Sequence, residues 1–215
     1  LDGGNISANL KFDDFGKPMS TAQGNMADIE CDYDSFAVTV EVTTASGQRQ
    51  YEMEGEPVAR HLGKFKKSTG KETYCLFIAP TINPACISHF FVLQQMNVEF
   101  YGGKSTIIPL ELRVFRKMIE DVYKASYTPS PSQVEKLFKF SQSIAKNAKS
   151  EMDWYNKVKE KALHWLEQDA EYHLLEQKTA TKEYSDKNVV QCFGNILKYS
   201  TFEVPSNLTF EICLK

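Results

Sequence analysis

The chain has 215 residues, 42% of them hydrophobic and 25% charged, and carries a net charge of −3. That length fits one sizeable core with an appendage, or two small domains, and the balance is that of a globular protein rather than a disordered or collagenous one. No apolar run reaches the ~18 residues a membrane helix needs, no N-terminal secretory pattern occurs, and a net negative chain is poorly suited to gripping nucleic acid on its own.

Residues 37–44 (AVTVEVTT) are rich in β-branched side chains and read as a buried strand, stopped by the turn-like ASGQ. From 48 to 65 the pattern is helical, with Gly55 and Pro57 expected to break or kink it and Pro57 suited to the first turn of a helix running to about Leu62. A second buried strand is predicted at 73–79, a helix at 87–96, a short strand at 105–108 and an amphipathic helix at 110–123. Strands alternating with helices imply an α/β core with a mixed sheet. The stretch 126–132 reads as a linker, and 133–215 as a mostly helical extension with a possible terminal hairpin, behind a core at 1–125.

Cys31, Cys75, Cys86, Cys192 and Cys213 are odd in number, scattered, and never in C-x-x-C spacing, so they read as reduced core thiols rather than disulfides or zinc ligands. Two Asn-x-Ser/Thr triplets, at Asn5 and Asn207, mean little without a signal peptide. A cytoplasmic, prokaryotic-type setting is expected, with no membrane partner. The start at Leu1, without methionine, reads as a chain excised from something longer or trimmed at its start.

The chemistry concentrates at residues 27–61. Alternation along the strand puts Val38, Val40 and Val42 on one face and Thr39, Glu41 and Thr43 on the other, so Glu41 projects among apolar neighbours where a lone carboxylate is costly. Either a basic side chain or a hard divalent cation must compensate it. The acidic stretch Glu30, Asp32, Asp34 reads as a turn from which the chain returns as a hairpin, bringing Asp28 beside Glu41. Residues 1–62 hold eleven acidic against four basic side chains, a net of −7, and converging carboxylates suit Mg2+. Gln50 and Glu54 share a helical face, to which His61 returns if the helix survives Pro57. The alternative is a solvated acidic hairpin with a surface histidine; spacing alone leaves both open.

The stretch GNMADIE…VTVEVTTASGQRQYEMEGEPVARHL resembles the nuclease core of the AlwI-like type IIS restriction and nicking endonucleases. That core is a variant of the PD-(D/E)xK fold whose members read EVT, then Q-x-x-x-E, then E-P-V-x-R-H. The likeness spans about residues 18–125, with IIPLELRVF a weaker later echo. It implies Mg2+ ligands at Asp28 and Glu41, the helix glutamate at Glu54 and the active-site histidine at His61. Two departures stand out: Thr43 occupies the place of the usual lysine, and Ala27 that of the usual proline. Water activation then falls to the metal with Glu54, His61 or Gln50.

Other signals lead nowhere. YGGKST ends like a phosphate loop, but Val98 stands where that motif needs glycine, so a strand-connecting turn is expected there. No G-x-S-x-G or H-E-x-x-H occurs, and His164 and His173 are out of phase for one helix face. Lys64, Lys66, Lys67 and Lys71 follow His61; they are either a solvated cluster or, with the first three beside a metal site, a guide for a DNA backbone.

The resemblance implies Mg2+-dependent DNA cleavage, with Mn2+ as substitute, one strand per active site. The net charge suits a cleavage module delivered to double-stranded DNA by a separate recognition domain or subunit, a second copy or partner being needed to cut both strands. A repair or phage nuclease directed by DNA structure, or a non-catalytic α/β module, are the competing readings.

Overall fold

The structure is a computed structural model that describes residues 4–9, 11–15, 18–20, 26–125 and 127–166. All of them fall in one compact unit, Leu1–Glu167. The terminal hairpin, and the end of the helical extension, lie outside the described residues.

A five-stranded mixed sheet forms the centre, in the order β1 (Gly4–Ala8), β4 (Ile29–Tyr33), β5 (Phe36–Val42), β6 (Glu72–Ala79), β7 (Thr106–Glu111). Short β2 (Lys11–Phe12) and β3 (Pro18–Ser20) pair separately. β1, β4 and β5 are antiparallel neighbours, whereas β5, β6 and β7 run parallel. Parallel neighbours need a crossover, and α1 (Gly47–Thr69) and α2 (Pro84–Gln95) supply the two. β6 is buried along seven of its eight residues, as expected of a strand covered on both faces.

The acidic stretch 30–34 is mostly strand rather than turn. Glu30 and Asp32 alternate with Cys31 and Tyr33, whose side chains are buried, and only Asp34 and Ser35 make the bend. Period-two burial, not local polarity, decides this segment.

α1 does not break. It runs continuously over 23 residues with Pro57 inside it, although the ring leaves the Met53 carbonyl without its helical donor. Burial of Val58, Ala59, Leu62 and Gly63 along one face holds the helix together past that point. Gly63 is needed where it stands: a Cβ there would come within 2.7 Å of the Tyr101 carbonyl, in the 3-10 turn Glu99–Tyr101. The next two glycines after that turn, Gly102 and Gly103, have φ of 74° and 103°, so YGGKST is a left-handed turn into β7.

α2 begins at Asn83, whose side chain accepts from the Ala85 amide at 2.7 Å, with Pro84 in the first turn. α3 (Leu112–Lys124), α4 (Pro131–Ala145) and α5 (Glu151–Leu163) complete the described chain. Ser130, in the stretch read as linker, forms a capping box with Gln133. α4 lies on the sheet: Phe138 stacks on Tyr74 of β6 with centroids 4.6 Å apart. α5 is tied in by Trp154, fully buried, whose Nε1 donates to Ser141 Oγ at 3.1 Å while Ser141 donates to Gln94 Oε1 at 2.9 Å. The described part of the extension is therefore built into the cover of the sheet.

Candidate active site

Register builds the site. Ile29 lies opposite Val40, so the next positions outward, Asp28 and Glu41, meet at the C-terminal end of β5. Ligands of open α/β sheets collect at that end of the parallel strands. Asp28 is fixed there because its Oδ2 accepts from the Val42 amide at 2.8 Å, taking a donor beyond the last residue that β4 pairs with β5.

Glu41 is 6% exposed, on the same face as buried Thr39, and its Oε1 lies 2.8 Å from Nδ1 of His61. The histidine side chain is itself only 13% exposed, so it is a partner of the carboxylate and not a surface residue. Burial pushes the Glu41 carboxyl above its ordinary value, and the neighbouring Asp28 charge adds to the rise; the His61 hydrogen bond and charge, and the Asp28 amide, pull the other way. Burial, followed by the Glu41 charge, likewise pushes the Cys75 thiol well up, making it an inert wall behind the pair.

α1 carries the remaining candidates, and they do not all converge. Gln50 is fully buried and its amide is occupied by backbone: Nε2 donates to Ala45 O at 2.8 Å and Thr81 O at 2.9 Å, and Oε1 accepts from Asn83 N at 2.7 Å. Both amide protons are spent, so Gln50 clamps the loop after β5 to the loop after β6. Glu54 is not among the partners of Glu41, whose hydrogen bond and electrostatics come from His61 and Asp28. It lines an open cleft of about 340 Å³ between the 43–46 loop and the first turns of α1, which also presents Arg49 and Met53. Its charge, after burial, helps push the Cys86 thiol up to about 11.

Thr43, in the place of the usual lysine, continues β5 through its amide to Ile78 O at 3.0 Å and turns the chain by accepting from Ala45 N at 3.1 Å. Of the basic cluster, Lys66 donates to Lys104 O at 3.2 Å and Lys67 to Phe100 O at 3.1 Å. Lys71 binds Asp32 and Tyr33 O, bracing the hairpin, and Lys64 is exposed. Sequence reasoning misses Arg49 and the cleft, because TTASG signals only a turn.

Whether a cation fits can be judged from the donors. A carboxylate offers about four lone-pair positions. The contacts of Asp28 and Glu41 leave acceptor sites on both, Asp28 half-buried at the strand end and Glu41 buried beside it. Among the described residues no group of three or more His, Cys, Asp or Glu side chains closes into a cage. A pair of hard oxygen donors with open positions suits a hydrated ion of the Mg2+ type.

Residues 3–118 match the profile of the AlwI restriction endonucleases, more than half of the chain. The chain belongs to the AlwI restriction endonuclease family. The nuclease role of this AlwI-family chain follows from that membership. Its fold is similar to the crystal structure of the small subunit, R.BspD6I2, of the heterodimeric restriction endonuclease R.BspD6I. The two are 25% identical, with a TM-score of 0.57 over 79% of this chain and 80% of that one. No curated protein sequence matches significantly. Among the described residues of this AlwI-family protein, no helix is long and apolar enough to cross a membrane.

Proposed function

We propose that this chain is a divalent-cation-dependent DNA endonuclease of the PD-(D/E)xK type, acting as the cleavage domain or subunit of a type IIS restriction or nicking enzyme inside the cell. The observation that carries the reading is the juxtaposition of Asp28 and Glu41 at the end of β5, one fixed by a backbone amide and the other buried against His61.

In this reading Asp28 and Glu41 hold Mg2+, or Mn2+ in its place. The ion would make an attacking water more acidic and offset charge on the scissile phosphate. His61 keeps Glu41 in orientation through Nδ1, which leaves Nε2 to take a proton from the water. Glu54, on the same flank of α1, would order water at the entrance. Lys64, Lys66 and Lys67 would guide the DNA backbone, the latter two with protons remaining after their single carbonyl bonds.

One such site cuts one strand. The fold likeness to one subunit of a heterodimeric enzyme supports a partner that brings recognition and the second cut. Plasmid nicking tests the reading: relaxed circles should accumulate with Mg2+ or Mn2+ and not with chelator, and Asp28→Asn should abolish them. Nicking that persists in chelator, or in Asp28→Asn, would remove the metal pair from the chemistry.

A further inference from the structure

The nuclease reading concerns the phosphate that is cut; the cleft beside it concerns the strand that carries it, and a role for the cleft rests on that reading. Four arginines occur in the chain, all among the described residues. Arg60, Arg113 and Arg116 each bind a carboxylate, Glu56, Glu111 and Glu120 respectively. Arg49 alone has no carboxylate partner among the described residues. Its Nε donates to Met53 Sδ at 3.1 Å, a weak acceptor that steadies the stem and leaves the terminal nitrogens for a stronger one.

Arg49 lines the cleft with Thr43, Thr44 and Ser46, three residues that carry hydroxyls. Ser46 makes no side-chain cap to α1, and Thr43, which accepts from Ala45 N, still has its own proton to donate. A guanidinium fork in a cleft shared with hydroxyl residues is chemistry for a phosphate. Glu54 occupies the same cleft, so its charge is graded along its length.

The gradient has a direction. Glu54 precedes His61 by seven residues, about 10 Å along the helix axis, and Arg49 precedes it by twelve, about 18 Å. The acidic end thus lies toward the Glu41–His61 contact and the cationic end away from it. Arg49 stands farther from His61 along α1 than Glu54 does, and phosphates of one strand step about 3.4 Å along a duplex, so a cation there suits a phosphate beside the one being cut.

We propose that the cleft is a subsite for a backbone phosphate of the cleaved strand, gripped by Arg49, so that α1 lies along that strand with His61 at the cut and its first turn on a neighbouring phosphate. The departure at Thr43 fits this arrangement: with no lysine at the strand end, a cation farther along α1 anchors the substrate.

The test uses the full chain and a duplex oligonucleotide held uncut with Ca2+, and reads affinity against salt. Loss of one phosphate contact should make the slope of log affinity on log salt shallower by about 0.9. Arg49→Gln should show that change, Arg49→Lys should restore the wild-type slope, and Arg116→Gln, a change on α3, should leave it untouched. An Arg49→Gln slope equal to wild type, with wild-type nicking intact in a parallel Mg2+ assay, overturns the subsite alone. Failure of the wild-type chain to nick with any divalent ion overturns the nuclease reading and the inference with it.

Discussion

Nδ1 of His61 lies 2.8 Å from Oε1 of Glu41, across twenty residues of sequence, with both side chains largely withdrawn from solvent. A histidine in contact with the carboxylate proposed as metal ligand cannot affect the water alone. Partners that orient a ligand typically cost 10- to 100-fold in metal affinity when lost, and a positioned base ~10² to 10⁴ in rate. His61→Ala is therefore expected to need roughly 10- to 100-fold more Mg2+ for half-maximal nicking. At saturating Mg2+ it should still cleave about 10²-fold more slowly than wild type. Full recovery at saturation would make His61 a positioning residue only.

Glu41 predicts an unusual stability profile. Its ordinary value is 4.5 and burial raises it in the fold, so between those two values the folded chain holds a proton that the unfolded chain has released. Stability then falls as pH rises through that window, and the penalty is complete above it. Without divalent ions, Glu41→Gln should melt at a higher temperature than wild type at neutral pH, with the advantage vanishing below about pH 4.5. Added Mg2+ should raise the melting temperature of wild type and leave Glu41→Gln unmoved. Calorimetry across pH, with and without the ion, reads both effects; a variant that melts lower than wild type at neutral pH contradicts the account.

Much of this was legible in the sequence, and the reasons differ from residue to residue. The strand at Glu41 and the hairpin that returns Asp28 to it are local matters, written in alternation and a short bend. The continuity of α1 was not legible, because Pro57 is a strong local breaker and the burial of Val58, Ala59 and Leu62 that overrides it comes from elements distant in sequence. Gln50 shared a helical phase with Glu54 and so read as a member of the site. Its partners, Thr81 and Asn83, belong to a loop 31 and 33 residues away, and no periodicity could reveal them.

That difference can be measured. Gln50→Ala would take the side-chain partner from two part-buried carbonyls and one part-buried amide, where a fully buried orphan costs on the order of 1–3 kcal/mol. Water entering the vacated space offsets part of this, so a net loss of about 2–4 kcal/mol is expected from chemical denaturation. At low temperature, where the variant is still folded, Mg2+-dependent nicking should persist. A variant of unchanged stability that is inactive would instead put Gln50 in the chemistry.

Asp28 separates charge from architecture. Its Oδ2 accepts from the Val42 amide, and an asparagine can keep that bond through its carbonyl oxygen, whereas alanine cannot. Both substitutions remove the anionic ligand, so both should abolish nicking and the Mg2+-induced rise in melting temperature. They should part on stability. Asp28→Asn relieves the like charge beside Glu41 and should melt at or slightly above wild type without metal. Asp28→Ala also loses the latch at the end of β5 and should fall about 1 kcal/mol below Asp28→Asn, the worth of one hydrogen bond to a carboxylate-sized acceptor near solvent. Thermal unfolding of the two variants beside plasmid nicking decides it. If Asp28→Asn nicks at the wild-type rate, the carboxylate is a structural cap for Val42 and the metal site must be sought elsewhere.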